Sequence, residues 1–85
     1  MIRRPLAFPA DIRLTRAHAA TVVQTACQFE SRMMIQRQQK IVNVKSTLGI
    51  LSLYTDLAEP LTLLADGPDE EAAAQAVLDA VAALR

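Results

Sequence analysis

What most constrains this chain is the way its apolar residues change period. They recur at every second position in four stretches and at intervals of three and four in three others. A period of two marks a strand with one buried face, and a period near 3.6 marks a helix with one buried stripe. A chain carrying both must stack helices on a sheet to bury both kinds of stripe.

In residues 2–9, IRRPLAFP, Leu6 and Phe8 alternate, which predicts a strand. Pro5 and Pro9 cannot donate to a ladder, so the strand belongs at a sheet edge. Residues 16–28 predict a helix, with Ala19, Val22, Val23 and Ala26 on one stripe and Thr15 as N-cap. RMMIQR (32–37) alternates around Met33 and Ile35, and KIVNV (40–44) around Val42 and Val44. RQQK joins them as a hairpin, without the usual Asn-Gly or Asp-Gly.

STLGILSLY (46–54) predicts a short helix capped by Ser46, with Ile50 and Leu53 on one face and Leu48 and Leu51 on another. A helix apolar on two faces is either buried all round or offers one face to a partner. Pro60 opens a strand, PLTLLAD, with Leu61, Leu63 and Ala65 on one side. GPDEEAAAQAVLDAVAALR predicts the last helix, with Pro68 in its first turn and Asp69, Glu70 and Glu71 at the positive end of its dipole. Its buried stripe is Ala74, Val77, Leu78, Val81 and Leu84.

The expected fold is therefore α+β, an open-faced β-sandwich in the order β-α-β-β-α-β-α. A four-stranded antiparallel sheet carries three helices on one face, in a single domain over residues 1–85. The other sheet face carries Arg32, Met34, Gln36, Ile41, Thr62 and Leu64. That face is either an oligomer contact or a solvated face with single apolar residues.

Charge is balanced overall but not along the chain. Residues 1–45 hold eight Lys/Arg against Asp11 and Glu30, and residues 46–85 hold Arg85 against seven acids. Such an asymmetry can steer a partner, or simply reflect solvated surfaces. With no net positive charge, no Trp and three scattered aromatics, nucleic-acid binding is not expected. No apolar run reaches the ~18 residues of a membrane span, and no hydrophobic leader is visible. Cys27 stands alone, which fits a reducing compartment, and its spacing places it in or near the core of the first helix. A cytoplasmic protein without metal or cofactor is expected: one His and one Cys make no ligand set, and there is no Gly-rich nucleotide loop.

VNVKSTLGILSLY (42–54) resembles the regulatory-serine segment of HPr, the phosphocarrier of the bacterial sugar phosphotransferase system. AATVVQTACQF (19–29) is similar to the first helix of that family, and the predicted element order matches it throughout. The resemblance departs at RLTRAHA (13–19). There the family carries Gly-Leu-His-x-Arg-Pro-Ala, whose His takes phosphate from enzyme I and passes it to enzyme IIA proteins. On that pattern Thr15 stands at the His position, Ala17 at the Arg position and His18 at the Pro position.

A histidine carrier needs a nucleophilic ring nitrogen presented at a helix N-terminus. The Thr15 hydroxyl has no neighbouring base in sequence and would form a stable ester, a poor phosphoryl donor. His18 lies about one turn from the cap, with Arg16 as a nearby cation, and is the alternative acceptor. Its plainer reading is a partly exposed helix histidine.

The resemblance leaves Ser46 as the expected regulatory phosphorylation site. In HPr and its His-less paralogue Crh, such a serine is the substrate of HPr kinase/phosphorylase. The phospho-form then binds the catabolite control protein, a LacI-type transcription factor. On this reading Arg16, Lys45, Thr47, Leu48 and Leu51 form the partner-binding patch. Ala17 and Thr47 depart from the family there, and Lys40 and Lys45 are candidates to compensate. Ser46 also suits a plain N-cap role. Three readings follow: a non-enzymatic regulator acting through phospho-Ser46, a carrier using His18 with enzyme I or enzyme IIA, and a docking module or homodimer without phosphorylation.

Overall fold

A computed structural model describes residues 1–9, 12–53 and 60–84. Its elements are β1 (Ile2–Leu6), α1 (Arg16–Ala26), β2 (Arg32–Arg37), β3 (Lys40–Asn43), α2 (Thr47–Leu51), β4 (Leu61–Asp66) and α3 (Glu70–Ala82). The four strands form one antiparallel sheet in the order β1-β4-β2-β3. The expected β-α-β-β-α-β-α order and antiparallel sheet are both present.

Register follows the apolar alternation. Leu63 lies opposite Ile35, and Ala65 opposite both Met33 and Ile2, so in these rows this sheet face is apolar except where exposed Arg4 of the edge strand lies opposite Leu63. Met33, Ile35, Leu63 and Ala65 are fully buried there, under Ala19, Val22 and Ala26 of α1 and Val77 and Val81 of α3. Buried Ala73 of α3 extends the stripe foreseen from Ala74. The strand predicted over 2–9 ends at Leu6, although Phe8 is still buried. Its Pro5 sits in edge strand β1, where a missing donor does least harm.

The hairpin forms without a glycine: Gln38 takes a φ of 53°, a conformation that disfavours side chains with a Cβ. Of the helix predicted over 46–54, α2 covers five residues, and Tyr54 lies outside the described residues.

Two expectations are corrected. Cys27 is exposed, because α1 ends at Ala26 and Cys27 is its C-cap, past the turn that would carry the buried stripe onward. Pro68 precedes the N-cap Asp69 rather than lying in the first turn of α3. Asp69 makes no side-chain cap bond to its own helix. Its carboxylate instead accepts the Glu30 and Ser31 N–H groups, at 3.0 and 2.9 Å, and the hydroxyl of fully buried Ser31. This contact ties the loop after α1 to the start of α3. Gly67 lies against it, where an added Cβ would come within 2.6 Å of the Ser31 Cα.

Candidate functional site

The start of α1 is built from RLTRAH. Leu14 is buried and anchors the approach to the helix. Thr15 has extended backbone angles and is the N-cap, its hydroxyl accepting the His18 N–H at 3.2 Å. His18 occupies the third helical position and closes a capping box with its ring. The ring Nδ1 lies 3.2 Å from the Thr15 N–H and 3.0 Å from the Arg13 carbonyl oxygen. Unprotonated, Nδ1 accepts from Thr15; protonated, it donates to Arg13. His18 is half-buried, and Arg16 is exposed at the first helical position. The contacts of His18 thus give its Nδ1 a local structural task, the one glutamate or glutamine usually performs at this position.

The second group is Lys45, Ser46, Thr47, Leu48 and Leu51. Ser46 is the N-cap of α2, and its hydroxyl accepts the Gly49 N–H at 3.1 Å. Ser46 and Thr47 are half-buried, and Leu48 is 80% exposed. Leu51, expected beside Leu48, is partly buried and packs on the core. The helix therefore buries Ile50 and offers Leu48 outward.

Both lysines donate to backbone carbonyls. The Lys45 ammonium donates to the Phe29 carbonyl at 2.7 Å, just beyond α1, and Lys40 donates to the Ser52 carbonyl at 3.2 Å, the C-cap of α2. The Lys40 cation suits the negative dipole end of α2. Any pairing of Lys45 with an anion on Ser46 would compete with its Phe29 bond.

Gly49 is a further determinant of this site, beyond the residues expected from the sequence. A Cβ there would lie 3.0 Å from the Asn43 carbonyl oxygen, which already accepts the Ser46 N–H at 3.1 Å. The signal was available: glycine inside a short helix is costly unless another backbone comes close. The Ser31–Asp69 contact had no comparable signal, because 38 residues separate the partners.

Residues 10–83 match a family model described as the PTS HPr component phosphorylation site. Over 59 residues the chain is 39% identical to the phosphocarrier protein HPr of Treponema pallidum, covering 69% of this chain and 67% of the relative. Among solved structures, HPr-C-His from Thermoanaerobacter tengcongensis superposes with a TM-score of 0.83 at 34% identity, over 95% of this chain and 91% of that one. Crh of Bacillus subtilis, described as a catabolite repression protein in a domain-swapped dimer, superposes with a TM-score of 0.74 at 29% identity over all of both chains.

Proposed function

From these matches the chain belongs to the HPr family, and within it we propose a regulatory protein that has given up histidine phosphotransfer and acts by protein–protein binding once Ser46 is phosphorylated. One observation carries this reading: the chain's one histidine is part of a helix cap, while Ser46 is half-buried at the cap of a helix that offers Leu48 outward. Thr15 stands where the family places its phosphohistidine, and an ester on its hydroxyl would not serve as a donor. A phosphoryl group on His18 Nδ1 would abolish the contacts of that atom with Thr15 and Arg13.

At Ser46 the chemistry is favourable. The kinase moves the γ-phosphoryl of ATP onto the Ser46 oxygen, giving ADP, and the hydroxyl proton leaves to a kinase base. The phosphate then sits at the positive end of α2, where added negative charge is stabilising. We take HPr kinase/phosphorylase as the modifying enzyme and a LacI-type catabolite control protein as the reader. Phospho-Ser46, Thr47, Leu48, Leu51 and Arg16 form the contact surface. The protein would work in the cytoplasm as one HPr-like domain, with at most weak contact to enzyme I or enzyme IIA. The domain-swapped dimer described for Crh makes a homodimer a form to look for.

Mass spectrometry after incubation with ATP and an HPr kinase/phosphorylase tests the reading. The expected result is a single phosphate on Ser46, absent from Ser46→Ala. No phosphate on Ser46, or an acid-labile label from phosphoenolpyruvate and enzyme I that disappears in His18→Ala, would overturn it.

A further inference from the structure

The peptide group between Phe29 and Glu30 is held at both ends by charge. Its carbonyl accepts from the Lys45 ammonium at 2.7 Å in a partly buried contact, and its N–H donates to the Asp69 carboxylate at 3.0 Å. A cation on the oxygen and an anion on the N–H polarise one amide in the same sense, so each bond strengthens the other. The Ser31 N–H and hydroxyl also donate to Asp69. The loop after α1 is therefore tied on one side to Lys45, the residue before the cap of α2, and on the other to Asp69, the cap of α3.

The backbone of Lys45 is fixed beside Ser46. The Lys45 N–H donates to the Asn43 side chain at 2.9 Å, and the Ser46 N–H closes the turn on the Asn43 carbonyl at 3.1 Å. A change of partner at Lys45 therefore falls on its side chain, a flexible four-carbon stem that lets the ammonium move about a fixed root. The Ser46 hydroxyl is on the next residue. A phosphate there carries a charge of about −1.5 to −2 near pH 7. Such a charge attracts an ammonium more strongly than the dipole of a neutral carbonyl does.

Resting on the reading of Ser46 as a phosphorylation site, we propose that Lys45 is a latch. A phosphate on Ser46 draws the Lys45 ammonium off the Phe29 carbonyl, and the loop between α1 and β2 loosens at its tie to the start of α3. The modification thereby reaches a loop in which it does not itself lie.

The probe is the 15N-labelled full chain with phosphoserine placed at Ser46 during synthesis, so that no kinase enters the comparison. Against the unmodified chain, the Glu30 amide proton should move upfield as its peptide loses polarisation. The Glu30 and Ser31 amides should exchange faster by roughly threefold or more, the loss expected for one hydrogen bond. Lys45→Met keeps the apolar stem and removes the charge. Unmodified, this variant should reproduce both changes, and phosphoserine should then add nothing further at Glu30 and Ser31. Unchanged amides in α3 and β4 show that each form folds. Phosphoserine that leaves Glu30 and Ser31 as they were would overturn the latch, as would an unmodified Lys45→Met chain that matches the native one there. Equal shifts from phosphoserine with and without the Lys45 charge would also overturn it and assign the change to the field of the phosphate alone. Failure of the kinase to modify Ser46 while the phosphoserine chain loosens would sink the signalling role and leave the latch standing; a chain that the kinase modifies without loosening would do the reverse.

Discussion

At the scale of single residues, side chains at two caps have tasks that spacing alone could not show. Thr15 and His18 share a capping box; the Thr15 cap follows from residue type, whereas the ring turned back on Thr15 and Arg13 does not. Thr15→Ala removes the side-chain acceptor and should cost about 1 kcal/mol in denaturant unfolding at unchanged m. His18→Ala keeps the Thr15 bond, because that bond uses the His18 backbone N–H, and should cost roughly 0.5 kcal/mol. A larger loss in His18→Ala than in Thr15→Ala would show that the ring does more than close the cap. Asp69 sets a pH limit of a different kind. The Ser31 hydroxyl, followed by the Glu30 N–H, holds its carboxyl below the usual carboxylate value, and the Gly67 N–H does the same for Glu70. Both folded-state values are lowered, so the unfolded chain binds more protons in acid. Their contribution is complete above the ordinary values of 3.8 and 4.5 and disappears as pH falls through the lowered ones. Unfolding midpoints followed from pH 7 to pH 2 should drop steeply below about pH 4. Asp69→Asn should be less stable at pH 7 and show a shallower acid drop, and an unchanged acid drop in that variant would refute the assignment.

At the scale of elements, legibility depended on how many periods each one spans. The thirteen residues of α3 carry a stripe long enough to read, as do the alternations of β2 and β4. Cys27 was misplaced for a related reason: it continued the α1 pattern by one position, but a period cannot show that the helix has already turned off. The five residues of α2 cannot hold their shape by propensity and depend on the cap and on Ile50 in the core. Ser46→Ala should therefore lose about 1 kcal/mol before any partner is considered. Ser46→Asp should recover most of it, since Asp is as good a cap and its charge suits the dipole. Thermal unfolding of the two variants separates this structural effect from a signalling effect in the binding assays. Gly49→Ala sets two effects against each other, a propensity gain of up to about 1 kcal/mol and crowding of the Asn43 carbonyl. That carbonyl is held by the Ser46 N–H and has little room to retreat, so crowding should win and the melting temperature should fall. A rise would mean that the β3–α2 junction relaxes easily.

At the scale of the whole molecule, the strand order decides which parts hold longest. β4 and β2 are each flanked on both sides, while β1 and β3 each have one free edge. Alternation predicted which residues face the helices, but strand order arises from pairings between distant segments that no local period encodes. The same order explains why Leu64 is buried although it lies on the outer face: its strand is central, and neighbours on both sides cover it. Ile41 has the same polarity on an edge strand and stays exposed. Global opening should therefore govern amide exchange of Met33, Ile35, Leu63 and Ala65, with an opening free energy equal to that from denaturant. In the edge strand β3, the outward amides of Ile41 and Asn43 should exchange faster than those of Val42 and Val44, which face β2. Equal protection at all four would mean that something covers the edge. If that protection grows with protein concentration, the cover is a second copy. If it is the same at every concentration, the cover belongs to the chain itself, and α2, whose Gly49 lies against Asn43, is the element that supplies it.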